Sequence, residues 1–258
     1  MPATAANPVI EFRDVSYRVA DTQVLRDLNL QVQPGEILAL LGRSGSGKTT
    51  TLKLVNRLVS PTSGEVLVNG LPNTDIEITQ LRRSIGYVIQ EVGLFPHFTV
   101  ARNIGLVPKI EGWPEPRIRA RVDELLQLAG LAPALASRYP HQLSGGQRQR
   151  VGVARALAAD PEILLMDEPF GALDPLTRDE LQREFLSLQR RLCKTVVFVT
   201  HDLHEAMRLG SRIALMEAGK LVTVLSPDDF LRSSDPWPAA YVKAFGDRLE
   251  STTTEGKS

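Results

Sequence analysis

The sequence contains very little cysteine and carries no net charge. Its 258 residues include one cysteine, Cys193, and 30 lysine and arginine residues balance 30 aspartate and glutamate residues. A single cysteine excludes an internal disulfide bond and is typical of a reducing compartment. Because Cys193 follows an amphipathic helical pattern, we expect a small packed side chain there and no nucleophile. The charge balance gives no general attraction to nucleic acid or to an anionic membrane.

Long apolar runs and a signal peptide are also missing from the sequence. No apolar run approaches the roughly eighteen residues of a membrane-spanning helix, and Met1–Pro8 lacks the basic and apolar regions of a secretory signal. We therefore expect a cytoplasmic protein whose membrane role would depend on a partner. The composition, 43% hydrophobic and 23% charged, predicts one substantial domain at about residues 8–245. The polar ends, 1–7 and 246–258, predict flexible tails.

A glycine-rich motif follows the first fully apolar run. Ile37–Leu41 predicts a buried strand, and the sequence then matches G-x-x-x-x-G-K-[ST] before a helix predicted at Thr50–Leu58. In this context, backbone N–H groups and the helix N-terminus bind nucleotide phosphates. Lys48 would contact the outer phosphates, and Thr49 would offer its hydroxyl to Mg²⁺. The predicted nucleotide-binding residues of this loop are Gly42, Arg43, Ser44, Gly45, Ser46, Gly47, Lys48, Thr49 and Thr50.

Two carboxylates follow another apolar run. Ile163–Met166 predicts a buried strand, and Asp167 and Glu168 come directly after it, at the strand end where open parallel sheets bind ligands. We predict that Asp167 holds Mg²⁺ through its water and that Glu168 polarises the attacking water. An acidic pair at a strand end is by itself equally compatible with a solvated turn. The upstream phosphate loop favours a nucleotide and metal site.

A second glycine-rich segment stands before a helical pattern. Ser144, Gly145, Gly146 and Gln147 precede the helix predicted at Arg148–Ala158. A hydroxyl, glycines and exposed amides at a helix start predict a second phosphate-binding surface. The alternative is an N-capped helix after a tight turn.

Strand patterns are interrupted by a region of helical periodicity. Val9–Tyr17 and Val24–Val32 alternate apolar and polar residues and predict a half-exposed sheet. Residues of about 91–159 have helical periodicity, which we interpret as an inserted helical subdomain. The return of strands separated by helices predicts a mainly parallel sheet covered on both faces. The remaining strand predictions are Glu65–Val68, Ile85–Ile89, Thr195–Thr200 and Ile213–Met216.

With its motifs in this order, the chain resembles the ATP-binding subunit of an ABC transporter from about Val9 to Phe245. The resemblance implies an α/β fold with a P-loop NTPase, RecA-like core, an antiparallel β subdomain and the inserted helical subdomain. It also implies ATP and Mg²⁺ as cofactors. In that family, the Ser-Gly-Gly-Gln segment of one subunit caps the ATP held by the other. The resemblance therefore implies a head-to-tail dimer with a second copy of the chain.

The resemblance also implies roles for residues outside these motifs. Tyr17 would stack on adenine with Val24 near it, although Tyr17 is equally compatible with an ordinary strand aromatic. Gln90 would contact Mg²⁺ and the attacking water and would sense the membrane partner. His201 would hold the γ-phosphate and position the catalytic carboxylate, so it joins Gln90 as a candidate catalytic residue. Asp174 would communicate across the dimer.

Within the ABC proteins, the segment Arg82–Val100, continuing to Asn103–Ile104 and Gly112–Pro114, resembles most closely the importers of glycine betaine, carnitine, choline and related osmoprotectants. Its exposed aromatic and apolar residues suit a groove for a permease helix, with the core of the helical insertion as the alternative. DNA-repair relatives carry a long coiled coil between the glycine-rich segments, and translation-factor relatives carry two such domains. This sequence shows neither feature. Many osmoprotectant members carry a regulatory domain pair after the ATPase, and this sequence ends at Ser258, so the resemblance gives no expectation of built-in ionic-strength sensing.

The resemblance thus implies an ATPase at the cytoplasmic face of the inner membrane that energises uptake of an osmoprotectant. Integral membrane permease subunits would be direct partners, and a solute-binding protein would be an indirect one. The alternatives are the ATPase of a polar amino acid importer and, more distantly, a non-transport ABC ATPase. We expect no nucleic-acid partner, because basic residues such as Arg148, Arg150 and Arg155 are too few to form a nucleic-acid surface.

Overall fold

The computed structural model describes residues 7–90, 93–171 and 173–244. The predicted tails, apart from Asn7, lie outside these residues, as does Phe245. No helix within the described ranges combines the length and apolarity that crossing a bilayer requires.

Strands and helices alternate through most of the described chain. The strands are β1 (Ile10–Val19), β2 (Thr22–Val32), β3 (Ile37–Leu41), β4 (Ser63–Val68), β5 (Leu71–Pro72), β6 (Ile85–Val88), β7 (Ile163–Asp167), β8 (Thr195–Thr200), β9 (Arg212–Glu217) and β10 (Lys220–Leu225). The α-helices are α1 (Lys48–Val55), α2 (Ile78–Ser84), α3 (Val100–Ile104), α4 (Leu106–Ile110), α5 (Glu115–Leu128), α6 (Gly145–Ala156), α7 (Pro175–Leu192), α8 (Leu203–Leu209) and α9 (Pro227–Arg232). Short 3-10 helices span Pro133–Ser137 and Pro140–Gln142.

The strands form an antiparallel sheet and a mainly parallel sheet. The antiparallel sheet has the order β2-β1-β4-β5, and the other sheet has the order β10-β9-β3-β8-β7-β6. In the second sheet β9, β3, β8, β7 and β6 run parallel, and β10 pairs antiparallel with β9. The predicted α/β fold with a mainly parallel core and an antiparallel β subdomain is therefore confirmed.

Strand β3 contributes to hydrophobic clusters on both of its faces. Leu38 and Leu40 pack in a cluster shared with β1, β2 and α1, whereas Ile37, Ala39 and Leu41 pack in a cluster shared with α5, α6 and α7. Successive strand side chains point to opposite faces, so an unbroken apolar run suits a strand covered on both sides. Each fully buried leucine stabilises the fold by about 1.5–3 kcal/mol. The glycine-rich loop that follows β3 therefore starts from a rigid support.

The described chain between β6 and β7 is helical. It contains α3, α4, α5 and α6 with the two 3-10 helices, and α3 contacts both α5 and α6. This arrangement agrees with the helical periodicity of the sequence. The bounds 91–159 for a separate subdomain stay a prediction.

Some boundaries and short elements differ from the predictions. The helix predicted at Thr50–Leu58 begins at Lys48 and ends at Val55, because Arg57 adopts a left-handed conformation with φ 50° that a helix does not allow. The elements β5, α2, α8, β10 and α9 were not predicted. These five elements are short and none is an unbroken apolar run like β3, so their hydrophobic patterns are weak.

The prediction of a packed Cys193 side chain is wrong. Cys193 follows α7 as its C-terminal cap in a left-handed conformation, with φ 49°, and its side chain is exposed. A left-handed residue redirects the chain at a helix end. The apolar stripe of α7 therefore ends before Cys193. A helical projection of the sequence assumes that the helix continues and so does not show this end.

Candidate functional site

The predicted phosphate-binding segment forms a close loop between β3 and α1. Gly47 caps α1 in a left-handed conformation with φ 99°, and a Cβ atom at this position would lie 2.5 Å from Leu25 Cδ2. A Cβ atom on Gly42 would lie 2.3 Å from the carbonyl oxygen of Met216. These approaches leave no room for a side chain at either position. Glycine is needed there because other chain segments pack directly against the loop.

Lys48 is buried inside this loop, with 5% of the residue exposed. Its Nζ donates hydrogen bonds to the carbonyl oxygens of Gly42 and Arg43, both at 2.8 Å. Burial lowers the pKa of Lys48 below its usual value, and the nearby carboxylates of Glu168 and Asp167 oppose this shift. The ammonium group is thus bound by neutral carbonyl oxygens. An anionic phosphate would compete effectively with them for the ammonium group, because hydrogen bonds between charged groups are stronger.

Thr49 and Asp167 bring a hydroxyl and a carboxylate together at the start of α1. Thr49 Oγ1 donates a hydrogen bond to Asp167 Oδ1 at 2.8 Å. Asp167 ends β7 and is 6% exposed, so burial raises the pKa of its carboxyl while the bond from Thr49 opposes that shift. Mg²⁺ prefers oxygen ligands and binds through one or two protein groups together with substrate phosphates. This pair of oxygen donors fits such an ion.

Glu168 is contacted by side chains that follow two neighbouring strands. Gln90 Nε2 donates to Glu168 Oε2 at 3.4 Å, and His201 Nδ1 lies 3.3 Å from the same oxygen. Gln90 follows β6 and His201 follows β8, the strands that pair with β7 on either side. Glu168 itself has φ 44°, an uncommon conformation outside glycine. The predicted catalytic residues therefore meet at one edge of the parallel sheet.

Tyr17 and Val24 lie on the β1–β2 hairpin beside the phosphate loop. Tyr17 pairs with Leu25 across the hairpin, and the Val24 carbonyl oxygen lies 3.2 Å from the position of a Cβ atom on Gly47. Both side chains are partly buried against the cluster that contains β1, β2 and α1. The structure thus brings the predicted adenine-binding pair to the side of the loop, and the stacking on adenine stays a prediction.

Ser144 caps the helix that carries the second glycine-rich segment. Its Oγ accepts a hydrogen bond from the Gln147 backbone N–H at 3.2 Å, and Gln147 Oε1 accepts one from the Ser144 N–H at 3.0 Å. This reciprocal arrangement is a capping box, so the alternative of an N-capped helix describes the local geometry correctly. The helix α6 contacts α3, α5, α7 and β6, whereas α1 contacts β2, β4, β7 and β8. The two glycine-rich segments therefore pack against different elements of the chain.

Asp174 caps α7 close to this second segment. Its Oδ1 accepts a hydrogen bond from the Thr177 N–H at 3.1 Å, and hydrogen bonding by Thr177 holds the pKa of Asp174 below its usual value. A Cβ atom on Gly146 would lie 2.6 Å from Thr177 Cγ2. The start of α7 therefore lies against Gly146, in the first turn of α6, and is capped by Asp174. Ala172, two residues before Asp174, lies outside the described residues.

Glu217 is a charged neighbour of the phosphate loop that was not predicted. It ends β9, which pairs with β3, and its charge raises the pKa of Lys48 against the effect of burial. Its Oε2 is buried without a hydrogen-bond partner among the described residues. A glutamate between a strand and an Ala-Gly turn carries no distinguishing sequence signal. Only the pairing of β9 beside β3 shows that it reaches the loop.

Comparison with known families shows which family the chain belongs to. Residues 25–171 match the model of the ABC transporter family, and this span includes the phosphate loop, the second glycine-rich segment and the Asp167–Glu168 pair. The chain belongs to the ABC transporter family. Members of this family bind ATP, typically with Mg²⁺, which agrees with the oxygen pair of Thr49 and Asp167.

Curated ABC transporter proteins closely similar to this chain are ATP-binding subunits. The chain is 53% identical over 211 residues to the choline transport ATP-binding protein OpuBA of Bacillus subtilis, a match that covers 82% of this chain and 55% of the relative. It is 53% identical over 219 residues to the glycine betaine uptake system ATP-binding protein YehX of Escherichia coli, which covers 85% of this chain and 71% of the relative. The chain thus spans about half of the length of the first relative.

Solved ABC structures have the same fold. A dimeric ATP-binding cassette in a post-hydrolysis state with ADP and Pi superposes with a TM-score of 0.76 at 34% identity, covering 84% of this chain and 98% of the other. A component of the cbiONQ ABC transporter complex from Clostridium perfringens superposes with a TM-score of 0.82 at 28% identity, covering 95% of this chain and 99% of the other.

Proposed function

We propose that this chain is the ATP-hydrolysing subunit of an ABC importer. The observation that carries the proposal is the convergence of Gln90 and His201 on one oxygen of Glu168, at 3.4 and 3.3 Å. A carboxylate held by two neighbours beside a phosphate loop is suited to activate water for phosphoryl transfer. Glu168 is therefore the general base of the proposed mechanism. His201 would hold the γ-phosphate, and Gln90 would contact the attacking water and the metal ion.

The phosphate loop supplies the substrate-binding part of the mechanism. Residues 42–50 surround the phosphates with backbone N–H groups, and Lys48 exchanges its bonds to loop carbonyl oxygens for contacts to the outer phosphates. Thr49 and Asp167 would hold Mg²⁺, which neutralises phosphate charge when bound. Tyr17 and Val24 would contact the adenine. Positioning and charge neutralisation then account for most of the rate acceleration.

A second copy of the chain completes each site in this proposal. Ser144, Gly145, Gly146 and Gln147 of one copy close over the γ-phosphate held by the other, and Asp174 communicates between the copies. The proposal is supported by the separate packing of α6 and α1, and by the dimeric form of the related cassette solved with ADP and Pi. ATP binding would close the dimer, and hydrolysis would open it.

We propose an osmoprotectant such as glycine betaine, carnitine or choline as the imported solute. The support is the 53% identity to ATP-binding proteins named for choline transport and glycine betaine uptake. The chain would act at the cytoplasmic face of the inner membrane, bound to a separate permease that receives solute from a binding protein. Residues 8–245 would form the ATP-binding domain, and the helical subdomain at about 91–159 would contact the permease.

The role of Glu168 is tested by Glu168→Gln in the purified chain. Gln keeps the size of the side chain but cannot accept the proton, so we expect ATP binding to persist and hydrolysis to fall by about 10²–10⁴-fold. An ATP-bound dimer should then accumulate in size-exclusion chromatography. Glu162→Gln, which changes an exposed carboxylate just before β7, is the matched control. Unchanged hydrolysis by Glu168→Gln would refute the proposed general base.

The solute is tested with the permease that co-purifies with the chain. ATP hydrolysis by the complex should be stimulated by a binding protein loaded with glycine betaine, carnitine or choline. Stimulation only by a polar amino acid would replace the proposed solute with the alternative one. Failure to co-purify with any integral membrane protein would favour a non-transport ABC ATPase.

A further inference from the structure

Arg178 connects two loops of the candidate site. It lies in the first turns of α7, and its Nη2 donates a hydrogen bond to the Leu173 carbonyl oxygen at 3.1 Å, in the loop that ends at Asp174. Its Nη1 lies 3.7 Å from Asp202 Oδ2, in the loop that carries His201. The guanidinium group of Arg178 therefore contacts two loops. One precedes Asp174, which is proposed to communicate between the two copies, and the other carries His201, which is proposed to hold the γ-phosphate.

Glu205 lies under the second of these loops and is 4% exposed. Its Oε2 accepts a hydrogen bond from Thr200 Oγ1 at 2.6 Å, and its Oε1 accepts one from Gln182 Nε2 at 3.3 Å. Burial raises the pKa of the Glu205 carboxyl, while Thr200 and the charge of Arg178 oppose the shift. A buried carboxylate needs such partners to offset the loss of hydration.

The partners of Glu205 fix the backbone on both sides of His201. The Thr200 hydroxyl donates to Glu205 and accepts a hydrogen bond from the Asp202 N–H at 3.0 Å. Asp202 Oδ1 in turn accepts from the His204 N–H at 2.8 Å. Because His201 stands between Thr200 and Asp202, these bonds determine where its ring approaches the catalytic carboxylate.

Arg178 and Glu205 lie slightly too far apart for a hydrogen bond. Arg178 Nε lies 4.0 Å from Glu205 Oε1, and this Nε is buried without a hydrogen-bond partner among the described residues. A buried donor without a partner is costly. A small movement of α7 towards α8 would therefore make a bond that the present arrangement leaves unmade.

We infer that Arg178 and Glu205 are positioning residues for ATP hydrolysis. They link the loop of Leu173 and Asp174 to the loop of His201, so a displacement of the first loop by a partner copy shifts the histidine. The inference rests on the proposed function. Neither residue touches the reacting atoms, and both act through the backbone around His201.

The test compares Arg178→Gln, Glu205→Gln and the double variant with Arg183→Gln. Arg183 lies on the same helix in an exposed ion pair with Asp179 at 2.7 Å, so it is the matched control. We expect each single variant to lower kcat by about ten- to a hundredfold, as for a small misplacement of a catalytic group, with KM for ATP changed by less than about twofold. The double variant should be no slower than the slower single one, because the two residues act as one unit.

Hydrogen exchange in the nucleotide-free protein provides a readout that does not depend on hydrolysis. Arg178→Gln and Glu205→Gln should accelerate amide exchange in the segment 200–206, and Arg183→Gln should not. If Glu205→Gln does not fold, Arg178→Gln carries the test, because its side chain is partly exposed. Absence of hydrolysis by the unmodified chain with its permease would refute the proposed function, and the exchange measurement would still decide the link between the loops. Equal kcat for Arg178→Gln and Arg183→Gln, or unchanged exchange in 200–206, overturns the inference.

Discussion

Replacing Thr49 by valine tests whether Asp167 depends on the hydrogen bond that Thr49 donates. The bond is 2.8 Å long and its acceptor is a carboxylate that is 6% exposed. Hydrogen bonds to charged groups contribute about 1.5–3 kcal/mol. Because Thr49 is only partly buried, water can replace part of the bond, and we expect a loss of about 1–2 kcal/mol in the free energy of unfolding. For a chain of this size that corresponds to a lower Tm by about 2–8 °C.

The assay is thermal unfolding of the nucleotide-free chain, with Thr49→Ser as the control that keeps the hydroxyl. The pKa of Asp167 is raised in the folded state, so the fold favours the protonated carboxyl and loses stability as pH rises through that pKa. Removing the hydroxyl raises the pKa further, because the ionised form loses its donor. The difference between the valine and serine variants should therefore be larger at neutral pH than in mild acid.

Two outcomes would contradict this reasoning. Equal Tm values for the valine and serine variants at neutral pH would show that the bond from Thr49 does not stabilise the carboxylate. A difference that grows towards acid pH would show that the hydroxyl acts on the protonated carboxyl instead. Either result would also weaken the assignment of Thr49 and Asp167 as the oxygen donors for Mg²⁺.

Further predictions concern packing and exposure. Gly86→Ala should lower the free energy of unfolding by about 1–3 kcal/mol, because its Cβ would lie 2.5 Å from the Ala156 carbonyl oxygen. At Gly145 a Cβ atom would meet only the end of the Arg148 side chain at 4.0 Å, so Gly145→Ala should not be destabilising. Urea titration of both variants measures the free energy of unfolding, and an equal loss in the two would contradict the packing argument. Cys193 is exposed and should react with a maleimide in the folded protein almost as fast as in the urea-unfolded chain. Strong protection in the folded state would refute that exposure.

The elements that could be predicted are those with a strong local signal. β3 and β8 were predicted with their observed bounds. β3 is an unbroken apolar run, and β8 is an apolar run bounded by two β-branched threonines, and both patterns favour a buried strand. The phosphate loop was predictable for a similar reason. Its glycines, Lys48 and Thr49 are consecutive in the chain, so their relation depends on the local strand–loop–helix geometry.

The convergence on Glu168 could not be derived from residue patterns without the family resemblance. Gln90 stands 78 residues before Glu168 in the chain, and only the order β6-β7-β8 in the sheet makes the ends of these strands neighbours. The contacts of Arg178 with Asp202 and Glu205 are likewise set by the packing of α7 against α8. Such contacts depend on tertiary structure, for which periodicity and local propensity contain no information.

The capping role of Ser144 has a consequence for how two copies could associate. A serine hydroxyl has one proton to give and two lone pairs with which to accept. The bond from the Gln147 N–H occupies a lone pair, so the proton stays available for an incoming anion. Holding the oxygen in place also removes rotational freedom before any encounter, which reduces the entropy lost on association. The helix-capping bond between Gln147 and Ser144 in one copy would thus orient the Ser144 hydroxyl as a donor to a nucleotide bound by the other copy.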